Sequence, residues 1–176
     1  TADRAVDLSA ARMAAVNIAL TEDRMIFYGN DKLGLTGLMN TPGSQQRKRK
    51  DWSQGENPFL DVAAGVTMLE NAGRLGPYAF ILSPYLHLQL ERLQPNTVLL
   101  ERVRVADYLG DRVFKSTVLK DNSAVLVSCE SPYMDLLVGQ DFATAYLELV
   151  DLNHHLRIME TALLRIKAPD AIVVYK

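Results

Sequence analysis

The chain has 176 residues, 48% of them hydrophobic and 23% charged, with a formal net charge of -2. That composition supports a packed core and excludes a disordered chain, and the near-neutral charge gives no general pull toward nucleic acid or an anionic membrane. A lone cysteine, Cys129, excludes an internal disulfide and suits a reducing cytoplasm.

No apolar run approaches the roughly 18 residues of a membrane span, and Thr1-Ala2-Asp3-Arg4 carries no secretory signal. The first expected element is a helix starting at Asp7-Leu8-Ser9, whose polar side chains can accept from free first-turn N–H groups. Good helix formers continue to Tyr28. Leu8, Ala11, Ala15, Ile18 and Met25 share one face and Val16, Leu20 and Phe27 another, so this helix needs cover from two sides. Gly29-Asn30 ends it, and Gly34 and Gly37 mark a tight loop.

Asn40 to Asn57 read as a polar loop carrying the basic run Arg47-Lys48-Arg49-Lys50. Asn57-Pro58 opens a second helix toward Arg74 and Gly76. Tyr78 to Leu82 is a short buried-type strand, and Ser83-Pro84 opens a third helix ending near Leu93. Gln94 to Thr97 read as an exposed turn. A fourth helix covers Val98 to Tyr108 and closes at Gly110.

From Val113 the pattern becomes strand-like: Val113-Phe114, Ala124 to Ser128, Met134 to Val138 and Phe142 to Val150. Asp151-Leu152-Asn153 is a hairpin turn, and His154 to Ile166 alternates imperfectly, which suggests a bulge. Pro169-Asp170 turns into a terminal strand, Ala171 to Tyr175. Helices precede strands with no βαβ regularity, so the fold class is α+β.

Catalytic chemistry is sparse. His154 and His155 are strand neighbours that point to opposite faces, and His87 lies among leucines, so zinc spacing is unmet. No nucleophile elbow, Walker loop or dinucleotide fingerprint occurs. Cys129 follows Val125-Leu126-Val127-Ser128 and reads as a packing residue. Glu22-Asp23 with Glu70 form a candidate carboxylate site, but helix neighbours diverge by about 100°. Arg47 to Lys50 read as a solvated loop. No catalytic, metal or cofactor site is expected.

Three stretches then stand out. They are Glu22 to Gly29 with Gly34-Leu35-Thr36-Gly37-Leu38; Gly76-Pro77-Tyr78-Ala79-Phe80-Ile81-Leu82-Ser83; and Val138 to Tyr146 followed by Ala168-Pro169-Asp170-Ala171-Ile172-Val173. In this order they resemble encapsulins, the linocin-type nanocompartment shell proteins with the HK97-type fold of tailed-phage capsids. The resemblance implies a spine helix and exit loop over 1–40, an axial domain of helices around a central sheet over 41–138, and C-terminal strands returning to a peripheral sheet over 139–176. It also implies a cytoplasmic, icosahedral homo-oligomeric shell around ferritin-like or peroxidase cargo recruited by a short targeting peptide. Family members begin with an N-terminal helix and a long extension loop, against which flavin sits in some relatives. This chain starts at the spine helix.

By the same resemblance, Leu93, Gln94, Pro95, Asn96 and Thr97 match the axial loop lining a five-fold pore, with Gln94, Asn96 and Thr97 as its polar groups. Asp141, Phe142, Ala143 and Thr144 match part of the inner surface where cargo tails dock. The bland alternatives are an ordinary turn and a core-filling Phe142. Competing functions are a phage or prophage major capsid protein, for which Arg47 to Lys50 are the only hint of nucleic-acid contact, and a Ser/Cys hydrolase.

Overall fold

The computed structural model describes residues 8–176, so the Asp7 half of the expected helix start lies outside the described residues. Helix α1 (Ser9–Tyr28) starts after Leu8 without a side-chain cap and ends at Gly29, whose N–H donates to the Met25 carbonyl at 2.9 Å. Gly29 has φ 72°, and a Cβ there would sit 2.1 Å from the Leu35 carbonyl oxygen. The chain therefore folds straight back under the helix end, and a side chain has no room at the turn.

The remaining elements are β1 (Gln45–Arg47), α2 (Asn57–Asn71), β2 (Tyr78–Leu82), α3 (Pro84–Leu90), α4 (Glu101–Leu109), β3 (Val113–Lys115), β4 (Ala124–Ser128), β5 (Met134–Val150), β6 (Asn153–Ile166) and β7 (Ile172–Tyr175). Ser83 caps α3 by accepting from the Leu86 N–H. Three helix ends lie three residues from expectation. Helix α2 stops at Asn71 rather than Arg74, α3 stops at Leu90 rather than Leu93, and α4 starts at Glu101 rather than Val98. The last two differ because residues 93–100 close a loop of their own, bridged at Leu93 and Leu100.

Five strands form one sheet in the order β1-β7-β4-β2-β3. The β1–β7 and β2–β3 pairs are parallel, and β4 runs antiparallel to both β2 and β7. Alternation divides its side chains between two cores. Phe80, Leu82, Leu126, Val173 and Tyr175 point to one side, where Val62, Val66 and Leu69 of α2, Leu86 and Leu90 of α3, and Val105 and Leu109 of α4 cover them. Ala79, Val125, Val127, Ile172 and Val174 point to the other, against Phe27 from the end of α1, Leu38, Met39 and Leu119, with Leu164 and Ile166 of β6 alongside. Each large apolar side chain buried this way contributes about 1.5–3 kcal/mol.

Strand β7 departs from the expected grouping of 139–176, because it lies between β1 and β4 and not beside β5 and β6. All four of its residues are buried. A strand apolar on both faces needs cover on both, and only the interior of the sheet provides it. Strand β1 was expected as loop. It is a short polar edge strand whose pairing with β7 its own composition does not announce.

Asp61 ties this region together from α2. Its carboxylate is fully buried and accepts from the Arg47 guanidinium (3.1 Å), the Lys50 N–H (2.8 Å) and the Trp52 indole N–H (2.9 Å). The Asp61 carbonyl accepts from the Tyr175 hydroxyl at 3.1 Å, which links α2 to β7. Burial first of all, with Asp61 adding to it, pushes the Tyr175 phenol far above its usual range, so it stays a neutral donor.

Candidate functional site

Strands β5 and β6 form a separate two-stranded sheet that leaves the main body as a long hairpin. Its turn places Asp151 and Leu152 at φ 48° and 65°, the left-handed pair that suits a tight two-residue hairpin connection. β5 has 17 residues and β6 has 14. Register shifts fall between Val138 and Gln140, between Gln140 and Ala143, and between Tyr146 and Glu148. The extra residues are therefore in β5, whereas the sequence pattern suggested a bulge in the later strand. At the base, Arg165 grips Asp135 with two hydrogen bonds of 2.8 and 2.7 Å, and Lys167 lies 2.7 Å from the same carboxylate. Those two partners hold the Asp135 carboxyl well below the usual carboxylate range.

Most of the hairpin's large apolar residues are in water. Leu136, Leu137, Val138, Phe142, Tyr146, Leu147, Leu149, Val150, Leu152 and Leu156 are all exposed, Leu152 to 90%. Because neighbouring strand residues point to opposite faces, the run Leu136-Leu137-Val138 puts apolar groups on both. A two-stranded ribbon is marginal by itself, and a patch of this extent is larger than scattered surface hydrophobics explain. Helix α1 repeats the theme. Its Phe27 end is buried, but Leu8, Met13 and Val16 are exposed. Of the two sides that the helix pattern requires to be covered, the described chain covers mainly one.

Between α1 and β6 lies an open cleft of about 430 Å³, lined by Ile18, Met25, Ile26, Leu136, Ile158 and Leu163 among others. Glu22 and Glu160 also line it. Burial, then the negative charges of Glu160, Asp23 and Asp141, raise the Glu22 carboxyl above its ordinary value. The cleft thus has an apolar floor and an acidic margin. Asp23, the helix neighbour of Glu22, is directed elsewhere and accepts from the Ser116 hydroxyl at 3.4 Å.

The expected docking residues sit near this cleft without lining it. Asp141, Phe142 and Thr144 are exposed and Ala143 is half-buried. They follow a register shift in β5, after which Ala143 opposes Met159 and Thr144 opposes Ile158. Met159 and Ile158 do line the cleft. Phe142 does not fill a core.

The second exposed feature is the loop 93–100. The Gln94 N–H donates to the Leu99 carbonyl at 2.8 Å, the Glu101 N–H to the Arg92 carbonyl at 2.9 Å, and Asn96 takes φ 60° at the tip. Leu93, Pro95, Asn96 and Thr97 are exposed, as is Val98 at 89%. Gln94 corrects the expectation of an outward polar group: its side chain is buried. Leu93 points out at the bridged neck, and strand-like alternation turns the next side chain in. The exposed Val98 and Leu99 make the loop more apolar than the expected turn.

The other candidates disperse. His154 opposes Leu149 and His155 opposes Glu148, while His87 lies 3.9 Å from Glu91 on α3. Among the described residues no three His, Cys, Asp or Glu side chains gather to hold a metal ion. Cys129 lies just past β4 and is exposed, not packed. Arg47 is engaged by Asp61, and Arg49 donates to Asn122 at 3.4 Å, so half of the basic run is tied into the fold. No described helix is long and apolar enough to cross a membrane.

With these surfaces defined, likeness to known proteins is informative. Residues 1–163 match the family model described as the encapsulating protein for peroxidase. The chain is 40% identical over 167 residues to the type 1 encapsulin shell protein EncA of Myxococcus xanthus, covering 95% of this chain and 58% of that one. It is 37% identical over 167 residues to a diheme-cytochrome-encapsulin shell fusion protein of Kuenenia stuttgartiensis, covering 95% of this chain and 46% of the relative. The chain thus spans about half the length of these relatives. The fold is similar to that of a virus-like particle from Pyrococcus furiosus, with TM-score 0.84 at 20% identity over 97% of this chain and 68% of that one. The α+β architecture is that of the capsid-like shells, and by sequence the chain belongs to the encapsulin shell-protein family.

Proposed function

We propose that the protein is a self-assembling subunit of a cytoplasmic encapsulin compartment, with α1 and the β5–β6 hairpin as its main association surfaces. The observation that carries this reading is the contrast in burial. The five-stranded sheet is covered on both faces within one chain, while the hairpin exposes large apolar residues along most of its length. Permanent interfaces bury about 2,000 Å² or more with an apolar centre, and closed symmetry multiplies moderate contacts into a stable shell. Ferritin-like or peroxidase cargo would be held at the inner surface through a short targeting peptide. Asp141, Phe142, Ala143 and Thr144 would form one side of that seat, next to the α1–β6 cleft. The loop 93–97 would line an axial opening, with Asn96 and Thr97 as its polar groups. A nucleic-acid-filled capsid is less well supported, since two of the four residues in the basic run are engaged inside the fold.

Negative-stain microscopy and light scattering of the protein purified from its source test the proposal. Uniform hollow particles with guest density inside are the expected result. Monodisperse monomers at micromolar concentration would overturn it.

A further inference from the structure

Glu101 opens α4 at the foot of the 93–100 loop and is only 1% exposed, yet neither carboxyl oxygen has a hydrogen-bond partner. At the same neck, Gln94 is 9% exposed and its amide nitrogen is also unpartnered. An ionised carboxylate in such a place is costly, whereas a protonated one is much less so. The charged groups that face Glu101 are already committed. Arg104 of α4 donates to Glu56, just before α2, at 2.6 Å and stacks over Phe59 at 3.9 Å. Arg92, after α3, donates to the Trp52 carbonyl. Glu56 adds a like charge. The α4 N-terminus favours an anion, but Glu101 makes no hydrogen bond to its N–H groups.

We propose that Glu101 is a proton-held latch: its neutral carboxyl keeps the neck of the 93–100 loop seated, and its ionisation releases the loop. Burial, the largest influence, pushes the carboxyl above the ordinary glutamate range; Arg104 opposes this, Glu56 adds to it and Arg92 opposes it. The seated state therefore binds the proton more tightly than the released state. Seating is most favoured below the ordinary glutamate value and weakens as pH rises from there to the raised value. One proton links the two states, so between the ordinary glutamate value and the raised one the opening constant grows up to about tenfold per pH unit, and above the raised value it levels off. The inference concerns the loop within one chain and stands apart from the proposed shell.

Amide hydrogen exchange of the purified protein across about pH 4 to 8 tests the latch, after division by the intrinsic rate at each pH. The amides of Gln94, Leu99 and Glu101 should lose up to about tenfold protection per pH unit as pH rises above the ordinary glutamate range and then level off, while those of β4 stay constant. In E101Q, which cannot ionise, neck protection should be independent of pH. Flat neck protection in the wild type, or an E101Q profile that follows the wild type, would overturn the proposal. Should E101Q lose protection throughout β4 as well, the wild-type difference between neck and β4 decides.

Discussion

The five-stranded sheet and the β5–β6 hairpin come from similar apolar sequence but have opposite fates. In the sheet, β4 and β7 are buried at every position and lie between helices on one side and the end of α1 on the other. In the hairpin, most residues of β5 are in water although Leu, Val, Phe and Tyr recur along it. The first region is stabilised within one chain, and the second still has apolar area to bury. A chain can therefore carry two kinds of strand, one buried on folding and one left with its apolar residues exposed, with similar propensities.

The contrast can be tested by substitution. Phe80→Ala should cost about 4 kcal/mol in urea unfolding, since Phe80 is fully buried between the Trp52 and Tyr175 rings. Asp61→Ala should cost about 3 kcal/mol in the same measurement, because it strands the Trp52 indole N–H and the Arg47 charge together. Gly65→Ala should cost about 2 kcal/mol: the new methyl would sit 1.8 Å from the Tyr175 hydroxyl oxygen and must push β7 from α2. A loss below about 0.5 kcal/mol for all three would remove the distinction between a self-sufficient sheet and a dependent hairpin.

Leu152→Asp probes the other region. Unfolding stability of the single chain should change by less than about 0.5 kcal/mol, while particle formation seen by light scattering should fall sharply. The smallest expected effect is at the hairpin base. Asp135 is held below the ordinary carboxylate range, so its contribution is present above that range and is lost only as pH falls through the lowered value. An NMR titration should find the Asp135 carboxylate still ionised at about pH 2.5, where an ordinary aspartate is about 90% or more protonated. An ordinary midpoint would show that the base clamp does not form in solution.

Much of the architecture was legible. The exit of α1 at Gly29, the strand Tyr78–Leu82, the Ser83 cap, the strand Ala124–Ser128 and the hairpin turn at Asp151-Leu152 all follow from local chemistry. Strand β1 was not, because Gln45-Gln46-Arg47 carries no strand signal and exists by pairing with β7. Helix α4 was started too early because Val98 and Leu99 look helical, yet the Gln94–Leu99 hydrogen bond holds them in the loop. At the candidate sites, Asp141 to Thr144 were proposed from family likeness, but the cleft beside them was not. It needs Ile18 and Met25 of α1 opposite Ile158 and Leu163 of β6, residues far apart in the chain. Glu101 gave no signal at all, since a Glu at a helix start normally reads as a solvated favourable charge.

The sequence by itself determined most of the elements and their order, because caps, turns and alternation are local chemistry that survives in any context, and likeness of its motifs to relatives gave the family. The tertiary structure alone decided which apolar strands are buried and which are offered outward. It also decided that β7 sits inside the sheet while β5 and β6 leave it, and that one glutamate is sealed from water. Burial depends on what packs against a residue from distant parts of the chain, and no local pattern specifies that.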